Sequence, residues 1–166
     1  MTRASPAGRT GERDGRPQGK PVEGSEITKC VDATTRAQLG AFFDRFAAAF
    51  VGGDLPALAG CYVTPVVFVT EWDSTTLDSA HAIAEGFRHV VSEHRSRGLV
   101  SLSHRIETVS KPAPRLVEVG IRWTFNDSAG HAMLHDRYRY LLRLVDDEGL
   151  RINVVVVLGG AAVPTP

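Results

Sequence analysis

Cysteine is scarce in this 166-residue chain, and so are long apolar stretches and excess charge of either sign. Cys30 and Cys61 lie too far apart in sequence for a metal or redox motif and read as reduced thiols. That argues against a disulfide scaffold and for a cytoplasmic protein. The apolar runs, Val154 to Leu158 among them, are far too short to cross a bilayer. No apolar stretch follows the N-terminal arginines, as a secretory signal requires, so no membrane attachment is expected. Lys+Arg and Asp+Glu both total 19, giving zero formal net charge, and nucleic acid is therefore not an expected partner. No glycine-rich phosphate loop follows a strand and no Gly-x-Ser-x-Gly elbow occurs, so no cofactor is expected.

What remains is enough apolar sequence, 43% of residues, for one hydrophobic core. Residues 1–33 are rich in Gly, Pro, Arg and Ser without apolar periodicity, and are expected to be a disordered tail. One domain is expected over residues 34–160. Thr35 and Gln38 have the spacing of a capping box, followed by Leu39, Phe42, Phe43, Phe46 and Phe50 at helical spacing. Gly52-Gly53 closes that helix, and Asp54 caps a short second one through Ala59. Tyr62 to Thr70, β-branched and aromatic, is a first strand. Asp78 or Ser79 caps a third helix to about Arg97, with Ile83, Phe87, Val90, Val91 and His94 on its apolar face and Gly98 as its stop.

The period then falls from 3.6 to 2. Val100, Leu102, His104, Ile106 and Thr108 share one face, and Lys111 to Pro114 makes a connection. Val117, Val119, Ile121, Trp123 and Phe125 alternate with polar residues, and Asn126 to Gly130 is a hairpin turn. Leu134, Asp136, Tyr138, Tyr140, Leu142 and Leu144 form the next apolar face, and a turn at 146–149 leads into Leu150 to Leu158. This order describes an α+β domain in which helices cover one face of a curved antiparallel sheet. Val154 to Val157 is apolar on both faces, which suggests a second copy of the chain against the outer sheet face.

Asp136 interrupts an inward apolar face, where an ionised carboxylate is costly and its pKa rises. That suits a general acid or base; a structural carboxylate, or a bulge that turns it outward, accounts for the same position. His104 lies between Leu102 and Ile106 and is either a proton-transfer partner, bonded to Asp136 across a cavity, or a satisfied core residue. His94 carries the same two readings. Tyr138 and Tyr140 share the Asp136 face, Tyr138 to polarise a substrate carbonyl and Tyr140 as a contact. Phe68, Phe87 and Trp123 are candidate cavity walls, and Trp72 is a candidate entrance residue. No metal site is expected: His131 and His135 on a strand stand about 13 Å apart. Arg122, Arg137, Arg139, Arg143 and Arg151 fall on the outer face among acidic residues, as a solvated or dimer-forming surface would have them.

Phe42-Phe43-Asp44-Arg45-Phe46, the Gly53-Asp54-Leu55 step and Tyr62-Val63-Thr64-Pro65 resemble the start of the nuclear-transport-factor-like superfamily, particularly its SnoaL-like members. The likeness covers about residues 34–158. It implies a cone-shaped, cystatin-like roll whose wide end holds an apolar cavity for a small apolar organic ligand. Relatives include ketosteroid isomerases, polyketide cyclases, dehydratases, epoxide hydrolases and binding-only modules. The first helix here has phenylalanines where the isomerases place a tyrosine. Leu134 stands where the epoxide hydrolases have the arginine of Arg-x-Asp. Asp136 with His104 matches the cyclases' aspartate–histidine pair in part. Two functions therefore compete. One is a cofactor-independent isomerase, cyclase or dehydratase using Asp136, His104 and Tyr138 on an apolar carbonyl or polycyclic substrate. The other is a non-catalytic ligand-binding or dimerisation module.

Overall fold

The structure, a computed structural model, describes residues 32–159. Of the tail expected over residues 1–33, only Asp32 and Ala33 are described, and both already belong to the first helix. Helix α1 (Ala33–Gly52) has Asp32 as its N-cap, with the carboxylate accepting the Thr35 amide at 2.5 Å. The cap thus lies three residues before the expected Thr35. Aspartate caps as well as threonine does, and the earlier start adds helical hydrogen bonds. Phe42, Phe43, Phe46 and Phe50 are all buried, each contributing roughly 2 kcal/mol over an exposed position. Gly53 ends the helix at φ +68. A Cβ on Gly53 would sit 2.7 Å from Arg95 Nη2, which donates to the Val51 carbonyl at 2.9 Å. The turn's positive φ is what calls for glycine, since the Arg95 guanidinium is the end of a flexible side chain and can shift.

Helix α2 (Leu55–Ala59) is capped by Asp54, as expected. Strand β1 (Tyr62–Val69) leads through a turn into strand β2 (Ser74–Leu77), which the sequence pattern does not reveal. Four residues with only Leu77 buried are too short and too polar to show alternation. Helix α3 (Ala80–Ser96) settles the choice of cap in favour of Ser79, whose hydroxyl accepts the Ala82 amide at 3.2 Å. Its five expected apolar-face residues are buried, and Gly98 follows at φ +74.

Four longer strands follow: β3 (Ser101–Ala113), β4 (Leu116–Asn126), β5 (Ala132–Val145) and β6 (Gly149–Val157). The sheet order is β2-β1-β6-β5-β4-β3, six strands in a mixed, curved, open sheet. All neighbours run antiparallel except β1 and β6, which are parallel. Lys111, Pro112 and Ala113, expected in a connection, belong to β3. β3 is an edge strand, and Pro112 falls in a break of its register with β4 between Ser110 and Ala113, where a missing amide is tolerated. The β3–β4 register shifts between Ile106 and Thr108, so Glu107 and Thr108 are both exposed. The extra residue turns Thr108 off the inner face on which alternation places it.

The helices lie on one side of this sheet, and α1 and α3 pack their apolar faces against the inward residues of β1, β4, β5 and β6. Val117, Val119, Ile121, Trp123 and Phe125 are all buried there. On the other side, one Glu107 oxygen accepts from Arg122 Nε at 2.9 Å and Arg137 Nη2 at 3.1 Å, and Glu118 pairs with Arg139. The expected arginine face is thus partly neutralised by exposed pairs, each worth under about 1 kcal/mol. No described helix is long and apolar enough to cross a membrane.

Candidate functional site

Between α1, α3 and the inner sheet face lies a hollow walled mainly by aromatic rings. Phe46 and Phe50 come from α1, Phe87 and His94 from α3, and Trp123 and Phe125 from β4. The hollow holds about 490 Å³ of space out to its mouth, but only about 40 Å³ is wide enough to centre a water molecule. It is a narrow slot, fit for a few waters or for the edge of a flat ring unless its walls move.

Phe68, Phe87, Trp123, Tyr138 and Tyr140 all line this slot, as the alternation of strand and helix residues implies. Trp72 does not. It is 88% exposed in the turn after β1, beside Leu158 on a separate surface. The Thr70 hydroxyl accepts the amides of Trp72 and Asp73, tightening that turn and carrying the indole away from the core.

Asp136 points inward, as expected, and is 6% exposed. Burial pushes its carboxyl above the usual range, against smaller opposing electrostatic contributions from neighbouring His94, Arg97 and His135. The side chain stands beside the slot rather than among its walls, two residues from the wall residue Tyr138. Tyr138 and Tyr140 stack with ring centroids 5.7 Å apart. Burial raises both phenols well beyond their ordinary range, so each remains a neutral hydroxyl. Tyr140 accepts the Trp123 indole N–H at 2.8 Å, which leaves its own proton to donate.

The structure does not bring His104 to Asp136. The register aligns His104 with Trp123 and Trp123 with Asp136, so the two candidates are two strands, or about 10 Å, apart. Trp123 fills the space between them. His104 instead lies against Phe43 and Trp123, with Nδ1 3.6 Å from the carboxylate of Asp44 on α1. It packs at the α1–β3 contact and is not a wall of the slot.

The histidine that does line the slot is His94, 7% exposed on the last turn of α3. Its Nδ1 lies 2.7 Å from the Val90 carbonyl, and a carbonyl only accepts, so Nδ1 carries a proton. Its ring sits 5.3 Å from Phe50 and 4.5 Å from Phe125, centroid to centroid. The sequence signal for it was a polar residue on an otherwise apolar helix face. A nearby carboxylate adds to that signal, because Asp136 is close enough for its titration to feel His94.

The fold has solved counterparts. A domain with a cystatin-like fold from Nostoc punctiforme aligns with TM-score 0.60 and 15% identity, covering 76% of this chain and 78% of that one. An NTF-2 like protein from Shewanella oneidensis aligns with TM-score 0.56 and 12% identity, covering 74% and 97%. A ketosteroid isomerase-like protein from Erwinia carotovora aligns with TM-score 0.50 and 16% identity, covering 74% and 95%. At these identities the likeness is one of fold. No curated protein sequence matches this chain. Residues 37–159 match the family described as NTF2-like protein (DUF6841), and the chain belongs to that family.

Proposed function

We propose that the slot binds a small, flat carbonyl compound and that Asp136 moves a proton on it, as in a cofactor-independent isomerase, cyclase or dehydratase. The observation that carries this reading is a buried carboxyl of raised pKa, two residues from a neutral tyrosine that faces an aromatic slot. In an isomerisation the walls part so that the substrate reaches Asp136, and its carboxylate takes the proton from the carbon next to the carbonyl. Tyr138 donates a hydrogen bond to the oxygen as it gains charge. The carboxyl then returns its proton at the conjugated carbon, so no cofactor is consumed. His104 has no part in this, because it lies against Asp44 and behind Trp123. The likeness in fold to a ketosteroid isomerase-like protein accords with the reading.

The narrowness of the slot favours a second reading, a binding or assembly module in which Asp136 is structural. A polycyclic substrate of the size first expected requires the aromatic walls to part. The proposal also includes a cytoplasmic setting, in keeping with the free thiol of buried Cys61, and a homodimer through the outer sheet face.

The two readings separate on deuterium exchange into 1-indanone, a flat aryl ketone, followed by proton NMR in D2O. The enzyme reading expects the protein to speed exchange beside the carbonyl and Asp136→Asn to slow it by about 100-fold or more. No acceleration by the wild type, or equal rates in the variant, sinks the catalytic reading in favour of the module.

A further inference from the structure

Among the described residues, one buried side-chain nitrogen or oxygen has no hydrogen-bond partner: Nε2 of His94. A buried acceptor without a partner is a cost that native structures rarely carry without a reason. The atom belongs to a residue that lines the slot, on a side chain that is more than nine-tenths buried. Three contacts hold the ring. Val90 fixes Nδ1 as a donor, and Phe50 and Phe125 pack against the ring. With Nδ1 committed as the donor, the acceptor of an uncharged imidazole is the lone pair at Nε2.

We propose that Nε2 of His94 accepts the hydroxyl proton of the ligand, and that the ligand class is small planar phenols and stable enols. This rests on the reading that the slot takes a small molecule, and names which one by its chemistry. The walls decide character: Phe46, Phe50, Phe87, Trp123 and Phe125 present aromatic surface, against which a guest ring stacks or packs edge-on once they part to admit it. Burial decides charge: the environment that raises Asp136 and the two tyrosines disfavours an ionic guest as well. The arrangement of donors and acceptors decides the functional groups. Tyr140 receives the Trp123 N–H and has a proton left to give, Tyr138 is a second phenol donor, and His94 supplies the matching acceptor. A hydroxyl that donates to His94 while its ring faces Tyr138 and Tyr140 satisfies the orphaned atom.

Isothermal titration of the full chain with phenol and with anisole tests this, because anisole keeps the ring and lacks the proton. Wild type is expected to bind phenol about tenfold more tightly, the scale of one net hydrogen bond. His94→Phe, its folding checked by thermal melting, is expected to bind the two alike. Equal affinities in wild type, no binding of either compound, or a preference that survives His94→Phe each overturn the assignment. If His94→Phe does not fold, substituted phenols on wild type decide instead. 4-Cyanophenol, the stronger donor, is expected to bind more tightly than 4-methylphenol, and a flat or inverted order overturns the assignment. A phenol preference without 1-indanone exchange would remove only the catalytic reading, whereas exchange without the preference removes only this one.

Discussion

The indole Nε1 of Trp123 donates to the phenol oxygen of Tyr140 at 2.8 Å, joining β4 to β5 across the floor of the slot. Both side chains are nearly inaccessible, at 2% and 3% exposure. Tyr140→Phe keeps the ring and leaves a buried indole donor without its acceptor. The expected cost is about 1–3 kcal/mol of stability, measured as a lower urea midpoint with unchanged slope. An unchanged midpoint would mean that the bond contributes nothing.

Asp136 gives stability a pH dependence whose sign follows from its raised pKa. Between its unfolded value, about 3.9, and its higher folded value, the native state holds more protons than the unfolded state. Native stability therefore falls as pH rises through that window, while at lower pH both states hold the proton and no such loss occurs. Asp136→Asn cannot ionise. Relative to wild type the variant should gain stability from about pH 4 up to the folded pKa of Asp136 and level off above it, by urea unfolding at several pH values. A difference that is constant from about pH 4 onward, or that shrinks as pH rises, contradicts burial as the dominant cause.

Phe43 and Trp72 should respond oppositely to truncation. Phe43 is fully buried against Phe42, Trp123 and Tyr140, and Phe43→Ala is expected to cost about 3–5 kcal/mol. Trp72, mostly exposed, is expected to change stability by less than about 0.5 kcal/mol on replacement by alanine. Thermal melts of the two variants check both expectations.

Val154 and Val156 are only half-buried, while their strand neighbours Val155 and Val157 fill the core. They form the apolar part of the outer sheet face proposed as a dimer contact. Sedimentation equilibrium at micromolar concentration should give twice the 18.0 kDa chain mass, and Val154→Lys should shift it to the monomer. A monomeric wild type rejects the dimer.

Local chemistry made most of the fold legible. Asp54, Gly53 and Gly98 marked helix ends where the structure has them, and period-2 alternation put Trp123, Asp136 and Tyr140 inside. Pairing between distant segments was not legible. The parallel match of β1 with β6 depends on contacts some 90 residues apart, for which neither strand has a local signature. One extra residue at Glu107 turned Thr108 outward, a change that alternation cannot foresee. The site was legible by face but not by row. Alternation shows that His104 and Asp136 point the same way, but only the register puts Trp123 between them. The same limit favoured His104 over His94, since helix packing, not strand alternation, carries His94 to the slot.

The chain has two tryptophans, and the structure gives them opposite environments, which makes one measurement decisive for the slot as a ligand site. In a proton–nitrogen NMR titration with phenol, the Trp123 indole signal should shift saturably while that of Trp72 stays in place. A Trp123 signal that does not move at saturating phenol, or one that moves only with Trp72, contradicts a ligand pocket between α1, α3 and the sheet.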